Sequence, residues 1–218
     1  MRSGKTDELI RRLTVSQYGG LKVVAFRPSH GCKDAEHPKI TSRNGQTFPA
    51  VLIRQRMLKH PKRQEDEDLY RKETLDTVLE NIDDAHVVGI DEAQFVPFLP
   101  EICELLVRRK KIVHISFLNG DYEQKLFASV GHILPKLDHL VVMTAVCSNC
   151  PYGFATEAPF TIPSTVEIWK ALKGLGGELV GDEQFRSVCR ACLRDWNNFI
   201  ECHIDIDVLK KEWGLDKA

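Results

Sequence analysis

A chain of 218 residues with 43% hydrophobic and 28% charged residues is typical of a globular protein with one main core and a small additional unit. Its formal net charge of −1 offers no basic surface to a phosphate polymer, which argues against nucleic-acid binding. No apolar stretch approaches the roughly 20 residues of a membrane span, and residues 1–20 lack the apolar segment of a signal peptide. The sequence therefore predicts a cytoplasmic protein without membrane contact.

Strand and helix patterns alternate along the first two thirds of the chain. Apolar residues recur at helical spacing after Thr6, around residues 75–82 and at residues 97–109. Strands are predicted at residues 21–26, 48–53, 86–90, 111–118 and 139–146. Residues 28–48 are predicted to form a loop, residues 58–69 a charged linker or helix start, and residues 203–218 a charged tail. This alternation predicts an α/β fold with a parallel sheet.

The tetrapeptide Ser3-Gly4-Lys5-Thr6 matches the second half of the phosphate-binding P-loop pattern G-x-x-x-x-G-K-[ST]. Gly4 would allow close approach of the backbone, Lys5 would reach the β- and γ-phosphates, and Thr6 would ligate Mg²⁺ at a helix start. The first glycine of the pattern and the strand before it are not found in the sequence. The alternative is therefore a plain helix N-terminus that binds no phosphate.

Asp91-Glu92 closes the apolar run of residues 86–90, at the distance from the P-loop that is expected of the acidic strand end in P-loop proteins. A carboxylate at the end of a buried strand is costly to desolvate unless it binds a metal or a donor. The alternative is that both residues stabilise the first turn of the next helix. Together with Lys5 in the same chain, this pair favours a role in phosphoryl transfer. Asp91 would then bind Mg²⁺, and Glu92 would accept a proton from the attacking hydroxyl.

Four of the seven cysteines form two C-x-x-C pairs, Cys147 with Cys150 and Cys189 with Cys192. In a chain without a signal peptide, this spacing predicts tetrahedral Zn²⁺ rather than disulfides. Four thiolates leave no open position on the metal. The zinc is therefore expected to be structural and to hold together the ends of the segment at residues 151–188.

Two aromatic side chains follow the strand predicted at residues 111–118. Asn119-Gly120 marks a turn, and Tyr122 and Phe127 lie close enough in sequence to contact one pocket. The alternative is ordinary core packing beneath a loop.

These motifs, in this order, resemble the cellular and poxviral (type II) thymidine kinases. The resemblance covers about residues 1–192 and rests on residues 91–95, the turn leading to Tyr122 and Phe127, residues 141–150 and residues 185–192. It implies transfer of the γ-phosphoryl group of ATP to the 5′-hydroxyl of thymidine, with Mg²⁺ and a structural Zn²⁺. It also implies a cytoplasmic homo-oligomer, a tetramer or a dimer.

The resemblance further implies how the chain is divided. Residues 1–143 would form an N-terminally incomplete P-loop core with a RecA-like parallel sheet. Residues 144–200 would form a small zinc-binding lasso domain, and residues 201–218 a C-terminal tail.

Individual residues also receive roles from the resemblance. Glu92 matches the general base, and Thr6 and Asp91 match the residues that hold Mg²⁺. The residues expected at the ATP phosphates are Ser3, Gly4, Lys5, Thr6, Asp91 and Gln94. Those expected around the nucleoside are Phe95, Leu118, Tyr122, Phe127, Phe185 and the lasso segment Leu179, Val180 and Gly181, whose backbone would read the base.

Several departures from the family pattern stand in the sequence. Phe185 occupies a position where tyrosine is usual, residues 168–174 look like an insertion, and the loop at residues 29–36 lacks an Asp-x-Arg element. One alternative is a catalytically impaired relative that acts as a nucleoside-binding or assembly subunit. A zinc-ribbon nucleic-acid binder is a further alternative, which the near-neutral charge opposes.

Overall fold

The computed structural model describes residues 3–29, 36–55, 64–150, 157–174 and 184–203. These residues form two compact units. The first, here called the sheet unit, runs as far as Asp121 and resumes at Lys125–Met143. The second, the cysteine unit, contains Tyr122–Gln124 and the residues from Thr144 onward. The proposed lasso residues 179–181 and the tail beyond residue 203 lie outside the described residues.

Strands in the sheet unit are β1 (Val23–Pro28), β2 (Lys39–Thr41), β3 (Thr47–Pro49), β4 (Val51–Ile53), β5 (Val87–Ile90) and β6 (Ile112–Ile115). Four of them form one parallel sheet in the order β4-β1-β5-β6, which confirms the predicted α/β fold with a parallel sheet core. All four residues of β5 are buried, as expected of a central strand in a sheet covered on both faces.

Helices in this unit are α1 (Lys5–Tyr18), α2 (Gln64–Ile82), α3 (Leu99–Arg108) and α4 (Ala128–Ile133), with short 3₁₀ turns at Ala93–Phe95 and Leu134–Lys136. Helix α1 buries its apolar stripe against one face of the sheet, where Leu13 packs beside Val87. Helices α2 and α3 pack on the other face, where Ile82 and Ile102 join Ile90. Strand β5 is thereby held between two apolar layers.

A hairpin occupies much of the region where the sequence predicted a loop, residues 28–48, since β2 and β3 pair in antiparallel fashion over residues 39–49. Ile40 and Phe48 face each other across it and are buried beside α1, so the hairpin extends the core. Its turn contains Asn44-Gly45, and Gly45 has a φ of 81°, a conformation that glycine adopts at low cost.

The strand predicted at residues 139–146 is wrong except at its end. Only Ala145–Val146 is a strand, β7, and Leu140, Val141 and Val142 expose more than half of their surface. β6 is the edge of the sheet, and the described residues supply no strand beside it. Because backbone pairing requires an adjacent strand, residues 140–142 have the composition of a strand without forming one.

The cysteine unit contains β7, β8 (Glu157–Ala158), β9 (Phe160–Pro163), α5 (Val166–Gly174), β10 (Phe185–Val188) and α6 (Arg190–His203). β7 pairs with β8, and β9 with β10, both in antiparallel fashion. Trp169 of α5 packs against Ile200 of α6, so the segment that resembled an insertion is a helix with its own apolar contacts.

Within the described residues, the helices are too short or too polar to serve as membrane spans.

Candidate active site and metal centre

The Ser3-Gly4-Lys5-Thr6 motif and the Asp91-Glu92 motif, which were predicted to act together, meet at one end of the sheet. The Thr6 hydroxyl lies 3.3 and 3.4 Å from the two carboxylate oxygens of Asp91, although the residues are 85 positions apart. Asp91 directly follows β5 and is buried, and its N–H donates to the carbonyl of Phe26 at 3.0 Å. A hydroxyl and a carboxylate in this arrangement are the oxygen donors that Mg²⁺ prefers.

Ser116 also belongs to this cluster, although the sequence analysis did not single it out. Its hydroxyl donates a short hydrogen bond to Asp91, and its N–H donates to the carbonyl of Ile90 at 2.9 Å. The strand was predicted to run over residues 111–118, which placed Ser116 inside it, whereas β6 ends at Ile115, so Ser116 follows β6 as Asp91 follows β5. The carboxyl ends of parallel strands meet at the same edge of a sheet, so polar residues there come together.

The start of α1, which contains Thr6, also brings backbone N–H donors near Asp91. Gly4 caps the helix with a left-handed backbone, φ 80° and ψ 10°, and no side chain caps this terminus. The helix dipole places partial positive charge there, a favourable environment for an anion. Lys5 is the first helical residue and is half-exposed, as is Ser3.

Glu92 is held in an unusual backbone conformation, φ 47° and ψ 41°, which is costly for a residue other than glycine. Its carboxylate accepts a hydrogen bond of 2.6 Å from the side-chain amide of Gln94. The amide oxygen of Gln94 in turn accepts the N–H of Leu118 at 3.0 Å. Gln94, expected at the ATP phosphates, is buried and ties the Glu92 carboxylate to the segment after β6.

The predicted nucleoside residues fall into both units, and each set is described by itself. In the sheet unit, the rings of Phe95 and Phe127 meet edge to face with centroids 5.7 Å apart. Phe95 exposes 39% of its surface. In the cysteine unit, the rings of Tyr122 and Phe185 lie 6.2 Å apart at an angle of 32°.

The four cysteines predicted to bind zinc come together in the cysteine unit, with all four sulfur atoms within 4.8 Å of one another. Zn–S bonds of about 2.3 Å at tetrahedral angles require sulfur atoms about 3.8 Å apart. The distances from Cys150 Sγ to those of Cys189 and Cys192 are 3.7 and 3.9 Å. The donor set and its spacing therefore fit a structural Zn²⁺.

The environment of Cys147 favours the thiolate that a metal requires. Burial raises the pKa of Cys147, but hydrogen bonds from the N–H groups of Cys189 and Asn149 and from the neighbouring thiols outweigh it and lower the pKa to about 6. The Cys189 N–H lies 3.3 Å from the Cys147 sulfur. These backbone donors are already in the position that a metal-bound thiolate needs.

Comparison with known proteins gives a family. The sequence model described as "Thymidine kinase" matches residues 1–193. The chain is 30% identical to a thymidine kinase of Monkeypox virus (strain Zaire-96-I-16) and 31% identical to that of Vaccinia virus (strain Western Reserve), in each case over 89% of this chain and 93% of the relative. It is 28% identical to a cytosolic thymidine kinase of Bos taurus over 88% of this chain and 68% of the relative. The chain belongs to the thymidine kinase family.

Proposed function

We propose that this protein transfers the γ-phosphoryl group of ATP to the 5′-hydroxyl of thymidine and yields thymidine monophosphate. One observation carries the proposal. The Thr6 hydroxyl meets the Asp91 carboxylate beside the start of α1, a helix terminus that no side chain caps. A helix N-terminus, a lysine and a hydroxyl–carboxylate pair are the groups that an ATP–Mg²⁺ complex requires.

In this mechanism Thr6 and Asp91 would hold Mg²⁺, which would neutralise charge on the phosphates when bound. Gly4, Lys5 and Ser3 contact the phosphate oxygens through backbone N–H groups, the ammonium and the hydroxyl. Glu92 accepts the proton of the 5′-hydroxyl as its oxygen forms a bond to the γ-phosphorus. The bond from that phosphorus to the bridging oxygen breaks, and ADP leaves with the electron pair.

Gln94 and Ser116 position the acidic residues and need not contact the substrate. The amide of Gln94 donates to Glu92 and orients its carboxylate, while Ser116 occupies one side of Asp91. The left-handed backbone of Glu92 supports this proposal, because such conformations cluster at active sites.

Thymidine binding is assigned to the two aromatic sets and to the lasso segment. Phe95, Phe127 and Leu118 supply apolar contacts, and Tyr122 and Phe185 supply rings for stacking. The backbone of Leu179-Val180-Gly181 would read the polar edge of the base. Zn²⁺ on the four cysteines would fix the ends of this segment, so that its backbone donors are ordered before the nucleoside arrives.

Residues 1–143 are proposed as the nucleotide-binding core, residues 144–200 as the zinc and lasso domain, and residues 201–218 as a tail. We also propose a homo-oligomer and a location in the cytosol, the location that the name of the Bos taurus relative, a cytosolic thymidine kinase, states. The family match and the named relatives give no support to a catalytically impaired subunit.

Glu92→Gln tests the proposal, because it keeps the shape of the side chain and removes its basicity. We expect thymidine phosphorylation to fall by about 10² to 10⁴, the range typical of a lost general base. Zinc content and thymidine affinity should be unchanged. The matched control is Glu80→Gln on the exposed side of α2, which should keep full activity. Undiminished turnover by the Glu92 variant would remove that residue from the mechanism.

A further inference from the structure

The loop that carries Tyr122 is closed at its base. The N–H of Asp121 donates to the carbonyl of Lys125, and the N–H of Lys125 donates to the Asp121 carboxylate, both at 2.9 Å. Within the tip, the side-chain amide of Gln124 donates to the carbonyl of Tyr122 at 2.7 Å. These contacts fix the backbone of the loop, but they leave the direction of its side chains to be set by other groups.

An ion pair connects the tip of this loop to helix α5. The ammonium of Lys173 contacts the carboxylate of Glu123, the residue next to Tyr122. Their side chains are 27% and 21% exposed, compared with 62% and 84% for the surface pair of Lys22 and Asp84. Screening by water is weaker at the less exposed pair, so it holds its partners more firmly.

Lys173 is itself anchored. Its ammonium lies 5.8 Å from the centre of the Trp169 ring, within the range of a cation–π contact. Trp169 is buried against Ile200 of α6, the helix whose first turn carries Cys192. The lysine therefore projects from a packed helix and is not a freely mobile surface charge.

From these contacts we infer that Lys173 is a positioning residue for the nucleoside, because it fixes Glu123 and so keeps the neighbouring Tyr122 ring beside Phe185. The inference rests on the proposed function, in which these two rings contact the base. The charge of Lys173 is already balanced by Glu123, which makes it unsuited to bind phosphate. Lys173 lies within residues 168–174, the segment that looks like an insertion relative to the family pattern.

The test uses Lys173→Met, which keeps much of the apolar stem and removes the charge. We expect the KM for thymidine to rise about fivefold to tenfold, with kcat, the KM for ATP and zinc content unchanged. Hydrogen exchange in a peptide covering residues 118–126 should become faster. Glu123→Gln removes the other charge of the ion pair and should give the same rise in the KM for thymidine and the same faster exchange. It serves as the test if Lys173→Met does not fold. The exchanged pair Lys173→Glu with Glu123→Lys should restore most of the lost affinity.

Lys136→Met is the matched control, because it breaks the ion pair of Lys136 with Glu104 in the sheet unit. It should change neither the KM for thymidine nor the exchange of residues 118–126. An unchanged KM and unchanged exchange in Lys173→Met would overturn the inference while leaving the proposed function intact. If the wild-type protein does not phosphorylate thymidine, the proposed function fails, and the exchange measurement alone decides whether Lys173 orders the loop.

Discussion

The two units of this protein are stabilised in different ways. In the sheet unit, side chains such as Phe26, Leu13 and Ile102 are fully buried on both faces of a parallel sheet. In the cysteine unit, three of the eight buried residues of the main cluster are themselves cysteines of the proposed zinc site. The acidic residues thus stand on elements fixed by apolar packing, whereas Phe185 stands on a unit built around four clustered cysteines that could hold a metal.

Loss of Zn²⁺ from the proposed cysteine site should have the largest effect on stability and turnover, and it should disorder only the cysteine unit. We expect Cys192→Ser to abolish zinc binding, disorder the cysteine unit and lower thymidine turnover at least about 100-fold, since structural zinc contributes about 10–16 kcal/mol in small domains. Tryptophan fluorescence reports on this directly, because all three tryptophans, at positions 169, 196 and 213, lie in or after the cysteine unit.

Cys103→Ala is the control for that experiment, because Cys103 is packed against the sheet core and is not part of the cysteine cluster. It should leave zinc content and tryptophan fluorescence unchanged. Hydrogen exchange in β5 should stay slow in Cys192→Ser. Loss of protection in both units together would contradict the separation proposed here.

A substitution at Gly89 should affect the sheet unit instead. A Cβ atom at this position would lie 2.6 Å from Cδ1 of Leu13, which is fully buried. We expect Gly89→Ala to lower the free energy of unfolding of this unit by about 1–3 kcal/mol through overpacking. Urea unfolding followed by far-ultraviolet circular dichroism measures it, and zinc content should remain at the wild-type value.

Leu13→Val provides the matched variant, because it shortens the side chain that the new methyl group would meet. The double variant should be more stable than the sum of the two single effects predicts. Strict additivity would show that the Gly89 site relaxes by another route.

The smallest effect is expected at the surface of α1. Hydrogen bonds from Arg11 and Arg12, acting against partial burial, lower the pKa of Glu8 from 4.5 to about 2. Because the folded-state pKa is depressed, the stabilisation is complete above pH 4.5 and is lost as the pH falls toward 2. Glu8→Gln should therefore lower stability by about 0.3–1 kcal/mol at pH 7 and by progressively less below pH 4.5.

Asp76→Asn, at an exposed position of α2, is the control for the pH series. The difference in unfolding free energy between each variant and the wild type is measured from pH 7 to pH 3. A Glu8→Gln difference that is constant over this range would show that the arginine contacts do not contribute in solution.

Much of the site was predictable because its chemistry is encoded locally. Burial of β5 followed from a continuous apolar run, and the position of Asp91 followed from the end of that run. The C-x-x-C spacing was sufficient to predict the cysteine cluster. In each case a short segment contains both the structural signal and the reactive group.

Other features depend on neighbours that a single segment does not reveal. Residues 140–142 have the composition of a strand, but pairing depends on an adjacent strand that the described residues do not supply. The contact of Lys173 with Glu123 joins distant charged residues, either of which fits a solvent-exposed surface equally well. The β2–β3 hairpin is a different case, because its Asn44-Gly45 turn was a recognisable signal that the polar composition of the loop obscured.

The left-handed backbone of Glu92 has a consequence for protein engineering. Glycine would adopt the same φ of 47° with less strain, so Glu92→Gly is expected to relieve part of a cost of about 1–3 kcal/mol. A library screened only for heat resistance would therefore tend to enrich variants that have lost the proposed base. Thermostabilisation of this protein requires a screen that measures turnover alongside melting temperature.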